Sequence, residues 1–214
     1  MKYEAVIFDL DGTLVHTNMS HIHYAFRETL REFGITNPKD EDIDMCWFES
    51  NRDEMIREKF RVDSKLFWDK FREYDTPNIR EKFTKPYSDI VFIEELRKKK
   101  YKTGIVTAAE NNIASLEIGM LGEGDFDGII IAQASNGIKP KPHPHGLESC
   151  LNILGVDKSK AMYVGNAKED VEAAKNADVL DVLLIREDNK YKFSNVNPSV
   201  KIYSLYDLKE ILGF

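Results

Sequence analysis

An unbroken apolar segment near the start of the chain, residues 5–8, runs directly into two acidic residues, Asp9 and Asp11. Its valine, isoleucine and phenylalanine favour a strand, and a run without polar interruption is typical of a strand buried on both faces. Carboxylates at the end of such a strand are costly, because burial forces them to shift their pKa or to acquire a cation. The segment therefore indicates a functional site.

The same residues leave a second interpretation open. Asp11 and Gly12 lie between apolar residues, and Asp-Gly in that context is a strong signal for a tight β-hairpin. A calcium-binding loop of the D-x-D-x-D-G type is excluded, because Gly12 comes two residues too early and Thr13 is not acidic. The segment alone does not separate a hairpin from a site, so the rest of the chain has to decide.

From residue 87 onwards, apolar strand-like runs alternate with helical patterns. The sequence predicts strands at residues 103–106, 128–132, 161–164 and 182–185. It predicts helices at residues 88–99, 110–121, 144–154, 168–177 and 204–212. Strands that alternate with helices of about a dozen residues are joined by right-handed crossovers and form a parallel sheet covered by helices on both faces.

The segment between the first strand and this alternating region has helical periodicity and no strand alternation. Residues 17–84 are rich in charged and aromatic side chains, with helical patterns at residues 21–33, 42–60 and 64–74. The sequence therefore predicts an α/β fold, in which residues 1–16 and 85–214 form a doubly wound parallel sheet. A small all-helical cap domain, residues 17–84, is inserted after the first strand.

The composition of the chain narrows the class of protein. A net charge of −7 argues against a nucleic-acid-binding surface, and no apolar run approaches the roughly 18 residues needed to span a membrane. The two cysteines have no zinc-binding or CxxC spacing. No signal peptide is predicted ahead of the first strand, so the default expectation is a cytoplasmic protein. The sequence leaves open whether it is a monomer or a homodimer.

The predicted sheet places several polar residues at one edge, where the carboxyl ends of its strands lie. Ligands of such sheets bind at this edge. Asp9 and Asp11 follow the first strand, Thr107 the second and Asn166 a later one, while Lys139 lies in a loop after the strand at 128–132. Carboxylates, a hydroxyl and an amine suit phosphoryl transfer, in which one carboxylate attacks phosphorus and another transfers protons. Two carboxylates would repel a phosphate dianion, so a hard cation such as Mg²⁺ is expected.

Four motifs resemble those of the haloacid dehalogenase superfamily, in its phosphatase branch with a helical cap after the first strand. They follow the family's order and cover nearly the whole chain: Asp9-Leu10-Asp11-Gly12-Thr13 (D-x-D-G-T), Thr107 at the end of an apolar strand, Lys139-Pro140-Lys141-Pro142 (K-P-x-P), and Gly165-Asn166-Ala167-Lys168-Glu169-Asp170 (G-D-x-x-x-D with one departure). The resemblance implies a Mg²⁺-dependent phosphatase of the phosphoglycolate phosphatase or β-phosphoglucomutase type. Its substrate would be a small phosphorylated metabolite.

The resemblance also assigns roles by position. Asp9 would be the nucleophile that forms an aspartyl phosphate, and also a metal ligand. Asp11 would be the general acid and base, with its backbone carbonyl on the metal. Thr107 would hold the phosphoryl oxygens, and Lys139 would bridge nucleophile and phosphate. Lys141 competes for that last role, but Lys139 is chosen because it stands at the family position.

Further residues would complete the site. Gly12 would allow the turn, Thr13 would stabilise it, and the backbone N–H of Ala108 would bind a phosphoryl oxygen. Asp170 would support the Mg²⁺ site. Arg52 in the helical segment is the best candidate for selecting the substrate, since a guanidinium can bind a carboxylate or a second phosphate through two parallel hydrogen bonds. The alternative for Arg52 is an ordinary solvated helix face.

One position departs from the family pattern. The family places aspartate at position 166 as a Mg²⁺ ligand, whereas this chain has Asn166. An amide oxygen can coordinate Mg²⁺ but brings no negative charge, so weaker metal binding is expected. Two other functions therefore stay open beside a phosphatase. One is a phosphomutase, and the other is a catalytically weakened member that binds a phosphorylated ligand.

Overall fold

Six strands form one parallel sheet in the computed structural model, which describes residues 2–49, 51–122, 124, 126–188 and 196–214. Every pair of neighbouring strands is parallel. From one edge to the other, the strands are β5 (Gly128–Ile131), β4 (Lys102–Thr107), β1 (Ala5–Phe8), β6 (Ala161–Gly165), β7 (Leu180–Leu184) and β8 (Val200–Ile202).

Helices cover both faces of this sheet because β1 is apolar on both sides. Val6 and Phe8 pack in one core cluster together with residues of α6 (Phe92–Lys98), α7 (Asn111–Leu121) and α10 (Leu208–Leu212). Ala5 and Ile7 pack in the opposite cluster with residues of α8 (His145–Leu154) and α9 (Lys168–Asn176). All four strand residues are fully buried, as the unbroken apolar run predicted.

The chain forms two compact units. The sheet and the helices named above belong to one unit, which consists of described residues in 2–16, 85–188 and 196–214. The other unit is Thr17–Thr84. Two short strands, β2 (Val15–Thr17) and β3 (Thr84–Pro86), pair with each other where the chain passes between the units.

The second unit is helical and has an aromatic core. Its helices are α1 (Met19–Glu32), α2 (Asp40–Phe48), α3 (Arg52–Phe60), α4 (Ser64–Tyr74) and α5 (Pro77–Arg80). Phe26 lies at the centre, with ring centroids 5.0 Å from Phe67 and 5.3 Å from Phe71. Trp47 and Trp68 meet Phe26 edge to face, so the unit has a core of its own.

The structure confirms the predicted fold class and separates the two interpretations of the first strand. The hairpin interpretation is wrong, because β1 pairs with β4 and β6 in parallel rather than with the segment that follows it. One strand of the sheet was not predicted. β8 is only three residues long, and so short a segment carries no period by which the sequence could identify it. That the helical unit acts as a cap stays a prediction.

Within the described ranges, no helix is both long enough and apolar enough to cross a bilayer.

Candidate active site

The parallel sheet places the carboxyl ends of its strands along one edge. Phe8, the last residue of β1, pairs with Ile105 of β4 on one side and with Val164 of β6 on the other. The residues that end or follow these three strands therefore converge, as expected for the ligand-binding edge of an open α/β sheet. Among them are Asp9 and Asn166, which lie at the centre of the site.

Asp9 is a buried carboxylate, with only 5% of its surface exposed. Its Oδ1 accepts a hydrogen bond from Nζ of Lys141 at 2.7 Å, and its Oδ2 lies 3.2 Å from Oγ1 of Thr13. The Thr13 hydroxyl also lies 3.2 Å from Oδ1 of Asn166. One hydroxyl therefore stands between the carboxylate and the amide, and its single proton can be donated to either oxygen.

The turn after Asp9 needs glycine at position 12. Gly12 has a φ of +74°, in the left-handed region that side chains with a Cβ rarely adopt. A Cβ at this position would lie 2.1 Å from Nδ2 of Asn166. The turn is closed by the N–H of Gly12, which donates to the carbonyl of Val15 at 2.7 Å. Glycine thus lets the turn approach the loop that follows β6.

Lys141 is the cation of the site. Besides Asp9, its Nζ donates to Oδ1 of Asp170 at 2.5 Å and to the hydroxyl of Tyr163 at 3.2 Å. Asp170 is buried in the first turn of α9, where its Oδ2 accepts from the N–H of Ala167 at 2.9 Å. A buried carboxylate on a helix N-terminus therefore fixes the ammonium against Asp9.

The pKa values in this cluster follow from burial and from the shared lysine. Burial raises the pKa of Asp9 to about 7; Lys141 opposes this increase and Asp170 adds to it. Burial would lower the pKa of Lys141, but the two carboxylates outweigh it and hold that pKa well above its usual value. One positive charge thus serves two carboxylates, and the negative charge on Asp9 is incompletely balanced by it.

The choice of Lys139 for the role of this cation is corrected by the structure. Lys139 is exposed, and its backbone N–H donates to Nδ1 of His145 at 3.3 Å. The K-P-x-P spacing also fits residues 141–144, because two copies of the pattern overlap. The second copy places Lys141 on Asp9, while the first leaves the side chain of residue 139 on the surface. The sequence pattern fits both lysines, so it could not decide which of them contacts Asp9.

Thr107 and Ala108 lie at the carboxyl end of β4. Thr107 is buried, and its Oγ1 accepts from the N–H of Ala109 at 3.1 Å. A hydroxyl that accepts in this way can donate its own proton to a phosphoryl oxygen. Ala108 is exposed, and its carbonyl accepts from the side-chain amide of Gln133. That these two residues bind phosphate stays a prediction.

Asp11 and Arg52 are the remaining two predicted site residues. Asp11 is partly exposed on the turn, where its backbone forms an isolated bridge with Val15. Arg52 belongs to the helical unit, where its guanidinium carbon lies 5.2 Å from the ring centroid of Trp47. The roles given to both residues stay predictions.

The donor atoms around Asp9 are the kind that Mg²⁺ prefers. Asp9 and Asn166 each hold an oxygen 3.2 Å from the same hydroxyl, and Asp11 brings its backbone carbonyl two residues along the turn. No group of three or more His, Cys, Asp or Glu side chains that could hold a metal occurs in the described part of the chain. Because Mg²⁺ is commonly held by one or two carboxylates with substrate oxygens, this donor set fits the ion.

Tyr163 is a member of the cluster that the sequence did not predict. It lies within β6, fully buried, with its hydroxyl 2.9 Å from the carbonyl of Val106 and 3.2 Å from Oδ1 of Asp170. The available signal was a hydroxyl inside an otherwise apolar strand, since buried tyrosine needs a polar partner. Here the partners are the carbonyl of Val106, Asp170 and Lys141, so Tyr163 helps to hold the ammonium.

Comparison with known proteins identifies the class of this protein. The profile of the haloacid dehalogenase-like hydrolases matches residues 6–184, and the chain belongs to this family. It is 28% identical over 186 residues to a phosphoglycolate phosphatase of Aquifex aeolicus, with 84% of each chain covered. It is 30% identical over 189 residues to the pyrophosphatase PpaX of a Listeria monocytogenes strain, with 84% of this chain and 82% of the relative covered.

A solved structure has the same fold. The haloacid dehalogenase-like hydrolase SP0104 of Streptococcus pneumoniae matches with a TM-score of 0.79 at 19% identity, with 99% of both chains covered. At this identity the match concerns the fold alone. The family profile and the relatives above confirm the predicted superfamily and the prediction of a hydrolase of the phosphatase type.

Proposed function

We propose that this protein is a Mg²⁺-dependent phosphomonoester hydrolase that acts on a small phosphorylated metabolite through an aspartyl phosphate on Asp9. The observation that carries the proposal is the state of the Asp9 carboxylate. It is buried at the end of the central strand, and its two oxygens are hydrogen-bonded by Lys141 and Thr13. A carboxylate that is fixed and incompletely neutralised is suited to attack an electrophilic phosphorus.

The first step transfers the phosphoryl group to the protein. A carboxylate oxygen of Asp9 forms a bond to phosphorus while the bond from phosphorus to the leaving oxygen breaks. Asp11 donates its carboxyl proton to that leaving oxygen, so the product leaves as an alcohol. Lys141 and the hydroxyl of Thr107 stabilise the charge that is spread over the phosphoryl oxygens.

The second step returns Asp9 to its starting state. Asp11, now a carboxylate, accepts a proton from water, and the water oxygen forms a bond to phosphorus. The bond between phosphorus and Asp9 breaks, which releases inorganic phosphate. Asp170 and Tyr163 keep Lys141 in place throughout, because their contacts with its ammonium do not involve the reacting atoms.

Asp9, Asp11 and Asn166 would hold Mg²⁺ through oxygen atoms, and the ion would neutralise charge between the substrate dianion and the carboxylates. Asp170 is assigned to Lys141 rather than to the metal, since both of its oxygens accept hydrogen bonds within the cluster. Asn166 then makes this a site with one carboxylate fewer than the family pattern. A moderate Mg²⁺ affinity is the expected consequence.

The identity of the substrate is a separate part of the proposal. The relatives named above are a phosphoglycolate phosphatase and a pyrophosphatase, so phosphoglycolate and pyrophosphate are the first compounds to compare. We propose the helical unit as the cap that selects among substrates, with Arg52 as the anion-binding side chain. The phosphomutase alternative, the cytoplasmic location and the monomeric or homodimeric state stay predictions.

The test is hydrolysis of p-nitrophenyl phosphate across a Mg²⁺ titration, with Asp9→Asn as the matched control. The proposal expects turnover that rises with Mg²⁺ and is lost in Asp9→Asn. A panel containing phosphoglycolate, sugar phosphates, nucleotides and pyrophosphate then identifies the substrate, and product analysis separates hydrolysis from a mutase reaction. Absence of Asp9-dependent turnover at saturating Mg²⁺ would favour the weakened, ligand-binding alternative that Asn166 raises.

A further inference from the structure

A buried arginine far along the sequence contacts the turn that carries the nucleophile. Arg186 follows β7 at the same edge of the sheet, and only 8% of its surface is exposed. Its Nη2 donates to the backbone carbonyl of Thr13 at 2.7 Å. Nη1 and Nη2 also donate to the two carboxylate oxygens of Asp89, at 2.7 and 3.0 Å. The guanidinium thus joins the turn to a third segment of the chain.

Asp89 is itself fixed on the far side of this contact. Its Oδ2 accepts from the N–H of Leu205 at 2.8 Å and from the hydroxyl of Ser204 at 3.0 Å. The carbon at the centre of the Arg186 guanidinium lies 3.9 Å from the ring centroid of Tyr87, so a cation–π contact also holds the guanidinium. A guanidinium held by a two-oxygen fork and an aromatic ring has little freedom to rotate.

Thr13 connects this anchor to the reacting group. Its carbonyl accepts from Arg186, while its side-chain hydroxyl lies 3.2 Å from Oδ2 of Asp9 and from Oδ1 of Asn166. Movement of the Thr13 backbone would therefore displace the hydroxyl that orients both groups. We propose that Arg186 is a positioning residue for the hydrolysis reaction, holding Thr13 so that its hydroxyl fixes Asp9 for attack. This inference rests on the proposed function.

Stability alone gives a weaker account of Arg186. Burying an ion pair costs desolvation, and apolar residues of similar volume often serve stability as well or better. What an arginine adds is geometry, since its planar donors can bind Asp89 and a backbone carbonyl at once. The contact with Thr13 is the part of that geometry that reaches the site.

The test compares two substitutions that each alter a buried polar side chain, one just after β7 and one within it. Arg186→Met removes the donor to Thr13 and keeps an unbranched apolar side chain. The matched control is Asp181→Asn, because Asp181 lies on β7, is buried, and accepts from the N–H and hydroxyl of Ser199 at 2.7 and 2.6 Å. Its contacts organise β7 and the approach to β8. Each variant is assayed well below its own melting temperature.

The expected result is a difference between the two variants in kcat. Arg186→Met is expected to lower kcat by roughly 100-fold, since a small displacement of a reacting group has an effect of that size. KM should change by less than about three-fold, because Arg186 touches no substrate. Asp181→Asn should lower the melting temperature with kcat unchanged. If Arg186→Met also lowers only the melting temperature, the positioning role is wrong.

Two further variants keep the test decisive. Asp89→Asn retains the donor to Thr13 and is expected to lower kcat by less than about ten-fold, a smaller loss than that of Arg186→Met. If Arg186→Met does not fold, Arg186→Lys replaces it, because lysine keeps the charge without the planar fork. A folded Arg186→Lys should still lose about ten-fold in kcat, and wild-type kcat in that variant would overturn the proposal.

Wild-type protein and Asp9→Asn are assayed alongside these variants. Absence of turnover in the wild-type protein is a failure of the proposed function. Wild-type turnover that is unchanged in Arg186→Met is a failure of the positioning role only. Amide hydrogen exchange of residues 10–15 supplies a readout without substrate: exchange should be faster in Arg186→Met than in Asp181→Asn, and equal rates would contradict the anchor.

Discussion

Two buried carboxylates, one in each unit of the chain, have different hydrogen-bonding partners. In the helical unit, Asp75 accepts from Nε2 of His21 at 2.8 Å and from Nε and Nη2 of Arg80 at 2.9 and 2.7 Å. In the sheet unit, Asp9 accepts from Lys141, whose ammonium is shared with Asp170. Asp75 thus accepts from the side chains of His21 and Arg80, whereas the lysine that donates to Asp9 is shared with a second carboxylate.

The pKa values of these two groups differ in direction. Burial raises the pKa of Asp75, but the hydrogen bonds from His21 and Arg80 outweigh it and leave that pKa below its ordinary value. Burial also raises the pKa of Asp9, and there the lysine does not outweigh it. The partners of Asp75 therefore stabilise its negative charge, whereas additional positive charge beside Asp9 would stabilise its carboxylate further. Asp9 and Asp75 are buried to a similar degree, so they differ in charge balance rather than in burial, and the proposed function gives the reacting role to Asp9.

The largest expected effect is on stability and comes from removing the Arg80 guanidinium from Asp75. Arg80→Met leaves Asp75 buried without its guanidinium, and removing one partner of a buried pair costs about 3–5 kcal/mol in the free energy of unfolding. Urea denaturation followed by circular dichroism measures this loss. The control is Arg72→Met, which removes an exposed pair with Asp69 from α4 and should have little effect. Equal effects of the two substitutions would mean that burial adds nothing to the Arg80 contact.

The next largest effect concerns the cation of the site. Lys141→Met is expected to lower kcat by about 10²- to 10³-fold, the usual loss when a charge-stabilising donor is removed from a reacting centre. Lys139→Met is the matched control, since it removes an exposed lysine two residues away. Its kcat should stay within about two-fold of the wild-type value. If kcat fell in Lys139→Met and not in Lys141→Met, Lys139 would be the charge-stabilising lysine, as the sequence predicted.

This pair of lysines shows where prediction from the sequence stops. The alternating apolar runs predicted five of the six strands, because a buried strand needs a continuous apolar segment whatever its neighbours are. The rule about carboxyl ends likewise brought Asp9 and Asn166 to one edge. Lys139 and Lys141 both fit the pattern, and the choice between them depends on the path of a loop in three dimensions.

Contacts between distant segments could not be predicted from the sequence, because they too depend on the path of the chain in three dimensions. Arg186 lies 173 residues from Thr13 and belongs to none of the four motifs quoted above. Its position directly after a buried strand at the same edge is the one signal that could have drawn attention to it. The pairing of His21 with Asp75 also joins residues 54 positions apart, with helices α2, α3 and α4 between them, and no local pattern describes it.

A third prediction adds negative charge to the incompletely balanced site. Asn166→Asp is expected to tighten Mg²⁺ binding by about ten-fold, since ligand charge is a main determinant of cation affinity. Calorimetric titration with Mg²⁺ measures the dissociation constant without turnover. The new carboxylate also faces Asp9, so the variant should melt at a lower temperature without Mg²⁺ and recover when the ion is added. An unchanged dissociation constant would mean that residue 166 is not a ligand.

The smallest expected effect is the pH dependence of the contacts around Asp75. The pKa of Asp75 in the folded protein is below the value of 3.8 for an ordinary aspartate, so the folded state binds fewer protons between these values. The stability that Asp75 contributes is therefore present above about pH 5 and is lost as the pH falls through the folded pKa. The difference in free energy of unfolding between wild-type protein and Asp75→Asn should shrink below about pH 4. If the difference in free energy of unfolding grew as the pH fell, the pKa of Asp75 would be raised in the folded protein, which would contradict the prediction.

The most direct test of the account is to look for the phosphoryl group on Asp9 during turnover. Wild-type protein is mixed with a radiolabelled phosphomonoester and Mg²⁺, quenched in cold acid and digested, and the label is assigned to a peptide by mass spectrometry. The account predicts label on the peptide that contains Asp9, and neither label nor turnover in Asp9→Asn. Turnover by the wild-type protein with no label on that peptide, together with turnover that persists in Asp9→Asn, would contradict it.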